Sequence, residues 1–235
     1  MKIALVHRNH IWNDTPMLSL LAVAITAPNL SITSQYQQVI HVPGVEATDS
    51  ATSSIPVVPF YSQFTDISSA KWQKVGCGVT SLAMVINFYN PDAVSVNALL
   101  KQGIAAGAYL QSAGWTYAGL IGLSKQYGLD GTSYDLGTSA SATAFTELES
   151  YAADGPVIAS VHYKFDPKST IPHLVVIDGI EDGVVYYNDP AAKSGEKQIS
   201  ATDFLKGWKK RFIVIRPVKN NLSFVETAES QSPLL

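Results

Sequence analysis

The chain has 235 residues, enough to bury one full core, and its 46% hydrophobic and 15% charged content excludes a disordered protein. Sixteen basic against nineteen acidic residues leave a net charge of −3, which argues against a strong electrostatic hold on nucleic acid. The single cysteine, Cys77, rules out an intrachain disulfide.

The first element is an apolar stretch, "MLSLLAVAITA" at 17–27, too short to span a bilayer comfortably but as long as the core of a signal peptide. Lys2 and Arg8 precede it and small residues follow it, while Asp14 and Pro28 run against the pattern. Residues 1–34 are therefore expected to be a signal or leader segment. The protein would be secreted or held at the cell surface, with no stable membrane span in its mature form. If 17–27 is instead an apolar helix of the fold, the protein is cytoplasmic. Residues 35–54, rich in Ser, Thr and Gln with little periodicity, read as a linker, and the fold proper is expected over 55–217.

After Gly76, apolar residues at 82, 85, 86 and 89 keep helical spacing, with Ala83, Met84 and Phe88 opposite, so a buried helix is expected up to Asn90-Pro91. "SVNALLKQGI", "TYAGLIGLSKQYG" and "SATAFTELESYAADG" predict three more helices, the second closed by Gly128. The period then changes. "PVIASVHYKF" (156–165), "HLVVIDGIE" (173–181) and "GVVYYND" (183–189) are β-branched and aromatic runs separated by turn residues. "SATDFLKGW" is a short capped helix, "RFIVIRP" a last strand ended by Pro217, and 218–235 a loose polar tail. The basic cluster "KGWKKRF" at 206–212 reads as the solvated end of a helix. Helices first and strands second predict an α+β domain, a helical N-terminal half packed on an antiparallel sheet.

Cys77 sits between two glycines at the head of the buried helix. Unpaired N–H groups at a helix N-terminus favour a thiolate, and glycines there leave room for a substrate backbone. A free cysteine can equally be a small core hydrophobe, so a base is the deciding feature. Of five histidines, His7, His10 and His41 fall in the leader and linker, leaving His162 and His173 on predicted strands. His173 opens its strand after Pro172; His162, deep in an apolar strand, is the second candidate. From His173 the chain runs one strand, turns at Asp182-Gly183 and returns to Asn188-Asp189-Pro190, so a hairpin brings Asp189 back beside His173. Asn188 and Asp189 point to opposite faces of an extended segment, so only one can address the imidazole. "GCGVTS" fails the dinucleotide pattern at Ser81, and with neither a second cysteine nor a histidine pair at ligand spacing, no metal or cofactor is expected. Trp115 and Tyr117 read as core or cover, or as the lining of a substrate groove.

Taken together, "IPVVPFYSQF", "GCGVTSLAMVINFY", "GPVIASV" and "HLVVIDGIEDGVVYYNDP" resemble the papain-like cysteine peptidases of the bacteriocin-leader-processing type, in their stand-alone form, over about residues 55–217. The resemblance implies a papain-like fold with Cys77 as nucleophile, His173 as general base and acid, and Asp189 as the orienting carboxylate. It also implies that Gln63 of "YSQ" helps form the oxyanion hole, with Gln73 as a second candidate. The chain departs from the transporter-fused enzymes in its longer 63–77 stretch and in having Gly76 where they usually carry aspartate. The implied activity is hydrolysis of a peptide or protein substrate through an acyl-enzyme. An acyltransferase using the same residues, or a catalytically silent peptide-binding or cell-surface module, are the alternatives.

Overall fold

Residues 55–111 and 113–218 are described by a computed structural model of the protein. The expected leader, the linker and the tail beyond Val218 lie outside the described residues. The N-terminal half is helical: α1 (Ala70–Gln73), α2 (Cys77–Tyr89), α3 (Val96–Ala105) and α4 (Tyr117–Ser124). The α2 sequence is apolar almost all round, and every residue from Gly78 to Asn87 is buried. Ser95 and Thr116 cap α3 and α4, their hydroxyls accepting from Ala98 N and Gly119 N. A 3₁₀ turn after α4 ends on Gly128, whose φ of 72° is a left-handed conformation suited to glycine. Between α3 and α4 runs a two-stranded hairpin, β1 (Tyr109–Leu110) and β2 (Gly114–Trp115).

The remaining strands are β3 (Leu129–Asp135), β4 (Val157–His162), β5 (Pro172–Glu181), β6 (Val184–Asn188), β7 (Lys197–Ser200) and β8 (Trp208–Pro217), with α5 (Ser141–Ala153) and α6 (Ala201–Gly207) between them. They form one antiparallel sheet in the order β3-β8-β4-β5-β6-β7. Strand alternation separates two cores. Ile158, Leu174, Val176, Ile213 and Ile215 pack with α2, α3 and α4 on one face. Val157, Ala159, Val161, Val175, Ile177, Phe212 and Val214 pack with α5 and Phe204 of α6 on the other. The α+β class, with a helical N-terminal half against an antiparallel sheet, is the one expected.

Two segments differ from the sequence reading. The strand expected over 156–165 ends at His162, because Lys164 and Phe165 turn into the left-handed region at φ 58° and 56°. The basic cluster is not a solvated helix end: α6 stops at Gly207, and Lys209 and Arg211 belong to β8.

Candidate active site

Cys77 is the first residue of α2, partly exposed, and no side chain caps the helix there. Its two glycines stand close to their neighbours. A Cβ on Gly76 would displace Ile67 Cδ1, the movable end of that side chain, and come within 3.1 Å of Trp72 O and 3.3 Å of Gln63 Cβ. A Cβ on Gly78 would come within 2.7 Å of Trp115 Cβ. Trp115 is held there by Nε1 donating to Val75 O at 2.7 Å, so the indole lies against the first turn of α2.

His173 is near the start of β5 and only 4% exposed, with Nε2 at 2.6 Å from Asp189 Oδ1. The pairing of β5 with β6 explains which carboxylate it meets. Up to Gly179↔Tyr186 the hairpin is regular, but the next pair is Ile177↔Tyr187, leaving Asp178 as an extra residue in a bulge. Continued past Val176↔Asn188, this register sets Asp189 across from Val175, on the face shared by His173. Without the bulge Asn188 would be on that face. Asn188 is instead buried on the other side, its Nδ2 donating to Asp178 Oδ2 at 3.0 Å and to Val58 O at 3.3 Å, its Oδ1 accepting from Glu196 N at 3.0 Å. Asp189 Oδ1 also accepts from Ala191 N at 2.7 Å, which fixes the carboxylate.

Burial by itself would lower the His173 pKa, but hydrogen bonds to Asp189 and Cys77, with the charges of both, raise it to about 9. With Nε2 facing Asp189, the second ring nitrogen, Nδ1, is the one left for the Cys77 sulfur. Tyr163 meets the imidazole edge-on, 5.3 Å between ring centres. Burial lifts the carboxyl of Asp178 to about 7, an effect that the Asn188 amide opposes and Glu196 reinforces.

Gln63 and Gln73 have separate places. Gln63 lines the cleft beside Cys77, its backbone N–H donating to Pro190 O at 2.8 Å and one Nε2 hydrogen to Gln73 O at 2.7 Å. Its Oε1 is buried without a hydrogen-bond partner. The Gln73 side chain turns back onto Ile67 O at 2.8 Å and lines no part of the cleft. His162 is also elsewhere, its Nδ1 2.8 Å from Ser169 O.

The cleft over Cys77 and His173 has a volume of about 650 Å³. Trp115 and Tyr117 line it, so they serve as groove lining while Trp115 is also buried core. Ser160, Tyr163, Lys209 and Arg211 line it as well, and sequence patterns did not single them out. Arg211 pairs regularly with Ser160 and alternates with Ile213 and Ile215 onto this face, and Lys209 sits in the β4–β8 bulge between Ser160 and Val161. Among the described residues, no cluster of three or more histidine, cysteine or carboxylate side chains could hold a metal ion, and no helix is long and apolar enough to cross a membrane.

The profile of the Peptidase_C39 like family matches residues 55–213. No curated protein matches the chain. Among solved structures, a double glycine motif protease from an AMS/PCAT transporter, in complex with the leader peptide, is 22% identical, covering 71% of this chain and 96% of that chain at a TM-score of 0.49. The peptidase domain of Streptococcus ComA, a bifunctional ABC transporter, is also 22% identical, covering 62% and 93% at a TM-score of 0.47. A Bacillus anthracis protein assigned as a C39-like peptidase is 21% identical, covering 68% and 94% at a TM-score of 0.49.

Proposed function

The chain belongs to the Peptidase_C39 like family, and from that premise we propose that it is a cysteine peptidase hydrolysing peptide bonds through Cys77, His173 and Asp189. The observation that carries this reading is the shared imidazole: buried His173 is hydrogen-bonded to Asp189 at 2.6 Å and lines the same cleft as Cys77, whose proximity helps raise its pKa. His173 Nδ1 takes the thiol proton and the sulfur attacks the scissile carbonyl. The Cys77 N–H, at an uncapped helix start, and the second Nε2 hydrogen of Gln63 stabilise the oxyanion. The tetrahedral adduct collapses to an acyl-enzyme as His173 returns the proton to the leaving amine. Water, activated by His173, then releases the acid and regenerates the thiol. Asp189 holds the ring so that the same nitrogen serves both steps.

The substrate is a peptide or protein reaching an extracellular or cell-surface enzyme, the location that the 17–27 segment suggests. The test is cleavage of a mixture of internally quenched peptides, read by mass spectrometry, with a peptidyl electrophile as a second probe. Cleavage should vanish in Cys77→Ala, and labelling of Cys77 should slow sharply in His173→Ala. Cleavage that survives Cys77→Ala would refute the reading. Transfer of the acyl group to an added amine in preference to water would make the protein an acyltransferase.

A further inference from the structure

The cleft is lined by three cationic side chains, Lys74, Lys209 and Arg211, and by no carboxylate among the described residues that line it. Such one-sided charge is unusual in a chain whose net charge is −3. Neither Lys74 nor Lys209 has an ion-pair partner among the described residues. Arg211 meets Asp135 through Nε at 2.9 Å, which leaves its two terminal nitrogens free of that pair. Lys209 is half-buried, and burial together with the neighbouring Arg211 lowers its pKa, the condition of a cation held without a counterion.

The backbone aims these groups deliberately. The β4–β8 ladder pairs Ser160 with Arg211 and then Val161 with Trp208, so Lys209 and Lys210 are extra residues in the bulge. Lys210, at φ 55°, turns the other way and donates to Ser139 O at 2.7 Å, while Lys209 and Arg211 both reach the cleft. Ser160 pairs on its other side with Leu174, next to His173. Arg211 is thus two strand spacings, about 10 Å, from the reacting end of β5. An extended peptide rises about 3.3 Å per residue, so that span corresponds to about three residues.

We propose that the cleft selects peptides with an acidic side chain two to three residues from the scissile bond, received by Lys209 and Arg211. This rests on the peptidase reading above and specifies its substrate class. A charge pair in a partly desolvated cleft gives both specificity and faster encounter.

The experiment uses the full chain and a library of quenched decapeptides in which each position is in turn Asp, Asn or Lys. Asp should be favoured over Asn by about tenfold in kcat/KM at one position two or three residues from the cut, corresponding to about 1.4 kcal/mol. The preference should shrink as ionic strength rises. In Lys209→Glu it should invert toward Lys at that position. Lys209→Gln, which keeps most of the side-chain stem and leaves Arg211 in place, should weaken the preference and covers the case in which charge reversal unfolds the chain. Cleavage with no acidic preference, or a preference unchanged in both variants, overturns this inference and leaves the peptidase reading standing. No cleavage of any peptide brings down the peptidase reading, and this inference with it.

Discussion

Asp189 Oδ1 stands 2.6 Å from His173 Nε2, and it does so because Asp178 is the one residue of β5 that β6 leaves unpaired within the hairpin. The bulge changes the parity of the ladder by one. It brings a carboxylate, in place of the neighbouring Asn188 amide, to the imidazole. The Asp178–Asn188 hydrogen bond then pins the bulge from the opposite face of the sheet. Orientation of the histidine is in this way built into strand register.

The first expectation concerns pH. Burial opposes the imidazolium, but the bonds to Asp189 and Cys77 outweigh it and raise the His173 pKa to about 9. Peptide cleavage should therefore hold through neutral pH and fall on the alkaline side as His173 loses its proton near pH 9. The same proton stabilises the fold: its contribution is complete below the ordinary histidine value of about 6.5 and disappears as pH rises through about 9. Asp189→Asn removes the largest upward contribution, so its alkaline limb should move to lower pH. An unmoved limb in kcat/KM against pH would separate Asp189 from the titrating group.

A second expectation separates the two neighbours. Asp189→Ala should lower kcat by on the order of 10²–10⁴, as expected when an imidazole loses its orienting carboxylate. Asn188→Ala should act on stability first. It leaves the Val58 carbonyl, the Glu196 N–H and Asp178 without their partner in a buried place, at about 1–3 kcal/mol. Thermal melts and kcat measured on both variants would show it. A stable but inactive Asn188→Ala would move the orienting role to the amide.

The third concerns Asp178, whose carboxyl is raised to about 7 mainly by burial. A carboxyl raised in the folded state binds a proton that the unfolded chain has already lost, so stability falls as pH climbs from about 4 to about 7. Asp178→Asn lacks that titration. Its stability relative to the parent should rise across this window and level off above it, as urea midpoints at several pH values would record. A difference independent of pH would show that Asp178 is not the group titrating there.

Much of this site is legible in the sequence, for identifiable reasons. Cys77 stands at the start of an unmistakable apolar helix, and His173 opens a β-branched run after a proline. Asp189 returns on the far side of an Asp-Gly turn. The turn was readable; the bulge at Asp178 was not, since "VIDGIE" gives no hint of which residue will be the extra one. The outer strands β3 and β7 escaped because "LDGTSYD" and "KQIS" are edge strands, largely exposed and polar, with no hydrophobic run. Lys209 and Arg211 were hidden by composition: a basic cluster beside a helix looks solvated until strand pairing sets it along the rim of the cleft.

The last expectation concerns the oxyanion hole, where two glutamines differ in what they touch. Gln63 is 4% exposed and beside Cys77, with one Nε2 hydrogen committed to Gln73 O and the other unassigned to any protein acceptor. A donor fixed in this way meets the substrate oxygen only when charge develops on it. Gln63→Ala should therefore lower kcat by about 10²–10³ with little change in KM. It should also cost stability, because the Gln63–Gln73 bond closes the turn before α2. Gln63→Glu keeps the side-chain length but loses both donors, so it should lose kcat as well as the bond to Gln73 O, and its carboxylate would repel the oxyanion. Gln73→Ala removes only the side-chain bond to Ile67 O, worth about 1 kcal/mol of stability, and should keep kcat near that of the parent. A crippled kcat in Gln73→Ala together with a normal one in Gln63→Glu would put the hole on the other side of Cys77, while leaving the Cys77–His173–Asp189 arrangement intact.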